Sequence, residues 1–289
     1  MGRIRQLPKD LVALISAGEV IENPASVVKE LIENALDAEA TNIDILIEGG
    51  GIDRIVVSDN GHGIMRDDCR LCIKRYTTSK IRSRDDIDAI RTYGFRGEAL
   101  ASIAVMADLR IVTRARGEEI GSEIVSRPDG SVTVSDTARP EGTTVEVTDL
   151  FARAPGRRKH LAAPKTEGHR VTDMVTRYAA VRNDVGFRLT RNGETVIDCP
   201  AGQDPRSRIV YLWGSVIEKS LVRVEYEEGD VGIAGFILRP PFTRGSRSRE
   251  YLSVLRRPIV DHRLSRAAEA AYSTLLMRGR YPAFVLDIK

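Results

Sequence analysis

The sequence predicts an α+β fold of two subdomains, 1–203 and 204–289, with largely antiparallel sheets. Three observations predict it. Strand-like runs at 109–115, 120–126, 131–135 and 143–148 follow one another without helices between them. Residues 186–198 alternate around Arg191-Asn192-Gly193, and Asn-Gly suits a tight hairpin turn. Ala201-Gly202-Gln203-Asp204-Pro205 reads as a linker between two patterned stretches.

The elements follow in order. Residues 11–17 and 24–38 read as helices. Asn23 can cap the second, and Pro24 then stands at the first helical position, where its missing N–H costs nothing. Val27, Val28, Leu31, Ile32 and Ala35 give that helix an apolar stripe. Residues 42–48 alternate as a half-buried strand, Gly49-Gly50-Gly51 turns the chain, and 53–58 is the next strand. Residues 66–75 read as helical, and 76–97 as a long, polar, mobile segment. Ala99 to Met106 is a short helix, and 166–183 a longer one. After the linker come a helix over 206–213, strands at 220–226, 231–238 and 250–255, a helix over 264–277, and an extended apolar run at 282–288.

Composition narrows the function classes. With 42% hydrophobic and 29% charged residues, the chain can bury a core and stay wetted outside. No run approaches the roughly 20 apolar residues of a membrane helix. The opening residues lack the apolar core of a signal peptide, and three cysteines fit a reducing compartment, so the expected location is intracellular: cytoplasm, or nucleus in a eukaryote. The net charge of +3 hides a split. Residues 1–150 carry 19 Lys and Arg against 26 Asp and Glu, and residues 151–289 carry 25 against 15. A basic second half suits a polyanion, and equally a wetted charged surface.

Three motifs carry chemistry. Glu30, Asn34 and Asp37 recur at i, i+4 and i+7, so they share one helix face. There a carboxylate could take a proton from water and a carboxamide could ligate Mg²⁺. The same spacing also describes a solvated face. Asp59-Asn60-Gly61-His62-Gly63 follows a strand. Its carboxylate can accept from an exocyclic amine and its glycines admit a flat ring, although an Asp-Gly turn explains the glycines as well. Thr77-Thr78-Ser79-Lys80 and Gly94-Phe95-Arg96-Gly97-Glu98-Ala99-Leu100 combine cations with a glycine-rich helix start, a phosphate cradle unlike the GxxxxGK[ST] loop. Cys69-Arg70-Leu71-Cys72 has no second pair, and the four histidines lack metal spacing, so these read as structural.

Taken in order, the Glu…Asn helix, the strand ending in Asp-x-Gly-x-Gly, the polar segment, the glycine-rich helix start and Gly142-Thr143-Thr144 resemble the GHKL ATPase superfamily. Ser16 to Leu31 and Gly94 to Ile103 resemble its MutL branch of DNA mismatch-repair proteins. The resemblance spans nearly the whole chain. It implies a GHKL-type ATP-binding α/β sandwich over 1–203 and a smaller α/β subdomain over 204–289. Glu30 would activate the attacking water and Asn34 would bind Mg²⁺. Asp59 would hold the adenine amine, Gly63 would line the base pocket, and Thr144 would support the adenine end. Thr78, Ser79 and Lys80 would belong to a lid near the triphosphate, with Gly94, Phe95, Arg96, Gly97, Glu98, Ala99 and Leu100 around the phosphates. Mg-ATP would order the lid and drive pairing with a second copy or a paralogue. The resemblance also implies an ATPase acting in mismatch repair on double-stranded DNA, beside a MutS-type partner.

Arg244, Arg247, Arg256, Arg257 and Arg263 lie in an arginine-rich stretch with few aromatics, which predicts contact with DNA phosphates rather than stacking on bases. Two departures from relatives stand out. Leu255-Arg256 replaces an Asn that is often followed by Gly, and the sequence stops at Lys289 before a lysine that relatives bring to the γ-phosphate. The second departure predicts slow turnover in this stretch of chain. The alternative is a non-hydrolysing DNA-binding module with a vestigial ATP site.

Overall fold

The computed structural model describes residues 5–81, 83, 85–88, 92–127 and 130–289. It divides into two units, Met1–Thr172 with Phe187–Asp198, and Asp173–Gly186 with Cys199–Lys289.

The first unit opens with α1 (Lys9–Val20) and α2 (Pro24–Asp37). Asn23 caps α2 as expected: its side chain accepts from Ser26 N at 3.0 Å, and Ser26 Oγ accepts from Asn23 N at 3.1 Å. The predicted stripe is buried, with Val27, Val28 and Ile32 at 0% exposure. Each such side chain contributes roughly 1.5–3 kcal/mol on leaving water. Strands β1 (Asn42–Glu48) and β2 (Arg54–Asp59) follow, then the helical turn α3 (Asp85–Asp88) and α4 (Ala99–Met106). β3 (Asp108–Arg114), β4 (Gly121–Ser126), β5 (Val132–Thr137) and β6 (Gly142–Thr148) form the strand cluster. After α5 (Pro155–His160) and α6 (Pro164–Val181) comes the hairpin of β7 (Gly186–Arg191) and β8 (Glu194–Cys199). Its turn residues Asn192 and Gly193 sit at φ +49° and +86°, the left-handed pair that Asn-Gly favours.

These strands make one eight-stranded sheet in the order β5-β4-β3-β6-β2-β1-β7-β8. The pairs β1–β2, β2–β6, β6–β3, β3–β4 and β4–β5 are antiparallel. Helix α2 lies against β1 and β2, α4 against β3, and α1 against α4. Ile43, Ile45, Ile47, Ile55, Val57, Val145 and Val147 are buried on the sheet. The alternate residues carry an ion-pair ladder in which Arg54 meets Glu146 at 2.7 Å and Arg110 meets Glu123 at 2.6 Å.

The second unit contains α7 (Pro205–Trp213), β9 (Leu221–Glu228), β10 (Val231–Leu238), β11 (Glu250–Val254), β12 (Arg257–Ile259), α8 (His262–Ala270) and β13 (Phe284–Ile288). Its sheet runs β12-β11-β13-β10-β9, with β11 and β13 parallel. Residues 173–186 and 199–203, assigned from sequence to the first subdomain, fall in this unit. Packing explains the difference. Ala180 and Val181 join Ile209, Trp213, Leu238 and Tyr251 in one core. Arg208, fully buried, donates to the carbonyls of Ala179, Arg182, Val185 and Pro200. It therefore holds the last turn of α6 and the end of β8 together within this unit.

Several elements differ from expectation. The helix expected over 66–75 is a short 3₁₀ turn, Arg66–Asp68, followed by turns. Thr77 Oγ1 donates to the carbonyls of Leu71 and Lys74, which fixes a turn where helix periodicity would have continued. Helix α8 begins at His262 because Asp261 accepts from Arg263 N and Leu264 N, and it stops at Ala270. α5 and β12 carried no periodicity long enough to read. Of the expected mobile segment 76–97, residues 82, 84 and 89–91 lie outside the described residues.

Candidate functional site

The site grows from the carboxy-terminal half of α2. Glu30 Oε1 accepts from Lys29 Nζ at 3.1 Å, and the same ammonium reaches the buried Glu33 at 3.0 Å. One turn on, Asn34 Oδ1 accepts from Lys80 Nζ at 3.1 Å. Lys80 Nζ also meets Asp37 Oδ2 at 2.5 Å, and Asp37 accepts from Tyr93 N at 2.8 Å and Gly94 N at 3.1 Å. The structure thus brings Asn34, Lys80 and Gly94 together around Asp37, to which the sequence assigns no separate role. Thr78 Oγ1 accepts from Lys80 N at 3.1 Å, and Ser79 is exposed.

Gly97 sits at φ +62°, and the Thr77 carbonyl fills the space a Cβ would need. Tyr76 N donates to Gly97 O at 3.0 Å, so this glycine joins the two polar stretches. Arg96 lies over the ring of Phe95 at 5.7 Å. Glu98 is the residue before α4, and Ala99 and Leu100 form its first turn.

Asp59 ends β2. Its Oδ1 accepts from Gly61 N at 2.8 Å and from Thr143 N at 3.3 Å. Among the described residues no hydrogen bond engages its Oδ2, which keeps acceptor capacity. Burial pushes the Asp59 carboxyl above the ordinary aspartate value, outweighing the N–H groups of Gly61 and Thr143 and the charges of Arg139 and His62. Arg139, which sequence reading missed, donates to the Asp59 carbonyl at 3.1 Å. Asn60 is structural, since its Oδ1 accepts from Thr41 N and Asn42 N, both at 2.9 Å. Gly63, at φ +72°, packs against the Arg114 carbonyl, so the protein's own backbone already requires a glycine there.

The expectation for Thr144 does not fit the register. Asp59 pairs with Thr143 across β2 and β6, and Ser58 pairs with Thr144. Thr144 Oγ1 lies 2.7 Å from Ser58 Oγ, on the face away from Asp59. Thr143 Oγ1 lies 3.0 Å from the buried Thr113 Oγ1, which also accepts from Ile64 N at 2.9 Å. Counting alternation from Asp59 would have selected Thr143, because side chains paired across antiparallel strands share a face.

The five arginines of the second unit divide. Arg247 is bound to Glu269 at 2.5 Å and stands 3.7 Å from the buried Glu250. Arg256 pairs with Asp184 at 2.6 Å and Asn183 at 2.8 Å. Arg244 bridges the backbone of Tyr281. Arg257 is exposed, and Arg263 is 93% exposed with one contact to Asp261 at 3.2 Å. In the Cys69–Cys72 pair, burial raises both thiols, Cys72 to about 12, so both remain protonated at neutral pH.

Comparison with known proteins agrees with this arrangement. Residues 21–137 match the family of histidine kinase-, DNA gyrase B- and HSP90-like ATPases, and residues 209–289 match the DNA mismatch repair protein C-terminal domain family. The chain is 42% identical over 293 residues to the DNA mismatch repair protein MutL of Cellvibrio japonicus, covering 100% of this chain and 47% of that protein. Against MutL of Limosilactobacillus reuteri it is 38% identical, covering 100% of this chain and 43% of the relative. The chain therefore spans just under half the length of these relatives. The Aquifex aeolicus MutL ATPase domain complexed with ADP superposes with a TM-score of 0.70 at 26% identity, covering 93% of this chain and 92% of that one.

A strand-end aspartate, a helix bearing Glu and Asn, and a glycine-rich stretch entering α4, all on one eight-stranded sheet, define a GHKL-type ATPase fold. Within that class the chain belongs to the MutL family of DNA mismatch-repair proteins.

Proposed function

We propose that this chain binds Mg-ATP in its first unit and hydrolyses it, as the nucleotide-driven part of a mismatch-repair clamp. The observation that carries the reading is the half-buried Asp59 carboxylate, with Oδ1 tied to two backbone N–H groups and Oδ2 left to accept. An exocyclic amine such as that of adenine suits this acceptor, with Gly63 and Thr143 beside it. The donor set at the other end also fits the nucleotide. Asn34 offers a neutral carbonyl oxygen, suited to a magnesium ion that keeps most of its waters and phosphate oxygens. Lys80, Arg96 and the start of α4, with Gly94, Phe95, Gly97, Glu98, Ala99 and Leu100, provide charge and N–H groups for phosphates. Thr78 and Ser79 flank Lys80.

When bound, the magnesium ion would offset phosphate charge. Glu30, one turn before Asn34, would take the proton of the attacking water as the phosphorus–oxygen bond to the leaving diphosphate breaks. The rest of the contribution is positioning. We further propose that nucleotide orders the stretch carrying Thr78, Ser79 and Lys80 and favours pairing with a second copy or a paralogue. The basic second unit then meets the backbone of double-stranded DNA through Arg257 and Arg263, in concert with a MutS-type partner.

Calorimetric titration with a non-hydrolysable ATP analogue, with and without Mg²⁺, tests the reading. Wild type should bind, and Asn34→Ala should lose most of the Mg²⁺ dependence. If wild type does not bind, the chain is a DNA-binding module that keeps the fold.

A further inference from the structure

Asp37 has no part in the chemistry above, yet three donors converge on it. It is the last residue of α2, and its side chain is 5% exposed. A carboxylate at a helix carboxy-terminus opposes the helix dipole, and α2 has no basic residue in its last turn to offset it. A local rule broken in this way calls for a gain elsewhere. The gain is visible in the partners. Asp37 takes the N–H groups of Tyr93 and Gly94, fixing where the glycine-rich stretch begins, and it takes Lys80 Nζ, more than 40 residues away in sequence.

Lys80 Nζ is shared. It donates to Asn34 Oδ1 as well as to Asp37 Oδ2. That carboxamide oxygen is the atom proposed above for magnesium, and two cations on one neutral oxygen repel each other.

We propose that Asp37 is a positioning residue of the nucleotide site and that Lys80 is an exchangeable cation. Asp37 holds the 92–97 stretch against the helix that carries Glu30 and Asn34. Lys80 occupies Asn34 until nucleotide-borne Mg²⁺ takes the carboxamide oxygen, and the displaced ammonium then turns on its flexible stem to the phosphates. Cation arrival and release of Lys80 from α2 are thus one event. The inference rests on the ATP reading and adds to it a residue and an order of events.

Two variants of the whole chain test it. Asp37→Asn keeps shape and one acceptor but turns an –NH₂ toward Lys80 and Gly94 N. Lys80→Met keeps the stem and removes the charge. Asp37→Asn should keep its affinity for adenosine within about twofold while losing about tenfold or more for the Mg²⁺–ATP analogue. In nucleotide-free protein, the amides of Tyr93 and Gly94 should exchange hydrogen about tenfold faster than in wild type, with the interior of α2 unchanged. Lys80→Met should reach half-maximal analogue binding at a lower Mg²⁺ concentration than wild type, even where its final affinity is weaker. Equal losses for adenosine and the analogue in Asp37→Asn would reduce Asp37 to a folding role. An unshifted Mg²⁺ requirement in Lys80→Met would overturn the exchange. Should wild type bind no nucleotide, the ATP reading fails on its own, and the exchange rates at Tyr93 and Gly94 still decide whether Asp37 positions the stretch.

Discussion

At the scale of single residues, Asp59 shows how burial and function pull against each other. Its carboxyl is held above the ordinary aspartate value by burial, so the folded state binds a proton more tightly than the unfolded chain does. The sign follows. Stability tied to this group is full below the unfolded value of 3.8 and is lost as pH rises through the window up to the raised folded value. At neutral pH the ionised side chain therefore costs stability. Asp59→Asn keeps Oδ1 for Gly61 N and Thr143 N but turns the second acceptor into a donor. We expect its melting temperature at pH 7 to equal or exceed that of wild type, while affinity for the ATP analogue drops by about 1–3 kcal/mol because two donors then face each other. Wild-type affinity should also begin to fall on acidification at a higher pH than an ordinary aspartate would give. A variant that melts well below wild type would mean that the carboxylate serves the fold instead. Asp59 was legible because its type and its place after a strand were enough. Thr144 was misread by one position because a run of two threonines hides which faces inward until the strand's register is known.

At the scale of elements, cap and stripe made α2 legible nearly to the residue, and Asn-Gly did the same for the β7–β8 hairpin. The elements that escaped are those whose form depends on distant partners: the turns after Arg66, held by Thr77, and the short α5 and β12. The β11–β12 connection lies between these cases. Leu255 and Arg256 both sit at positive φ, +48° and +63°. Non-glycine residues there are strained, and a left-handed two-residue turn favours Asn-Gly. Leu255 is 74% exposed, and its side chain has little packing to lose. Leu255→Asn should therefore stabilise the protein by roughly 0.5–1 kcal/mol in a denaturant melt. Arg256→Gly should gain less, because it gives up the contacts to Asp184 and Asn183. A loss of stability in Leu255→Asn would show that the leucine is held by a contact that outweighs backbone strain.

At the scale of the whole molecule, the charge split was plain in sequence, whereas the fate of individual arginines was not, because ion pairing is decided by tertiary neighbours. The stretch that reads as uniformly basic holds arginines of two kinds. Arg247 serves its own unit: it offsets Glu269 and stands beside Glu250, whose carboxyl is pushed up to about 7 by burial and by the Glu269 charge. Removing it leaves a buried carboxylate beside a second acid, which is a stability defect rather than a binding defect. Arg263 projects into water with one weak contact, and such a contact is worth little against a DNA phosphate. Binding to a DNA backbone releases counterions, so the logarithm of affinity falls linearly with the logarithm of salt, by about 0.9 per phosphate neutralised. Arg263→Ala should fold like wild type, weaken binding to duplexes of unrelated sequence to the same degree, and flatten the salt slope by about 1. Arg247→Ala should instead lower the melting temperature of the protein, most at pH 8, where Glu250 is ionised. An Arg263→Ala protein with an unchanged slope would move the DNA contact off this stretch, and an Arg247→Ala protein that melts normally but binds DNA poorly would exchange the two roles.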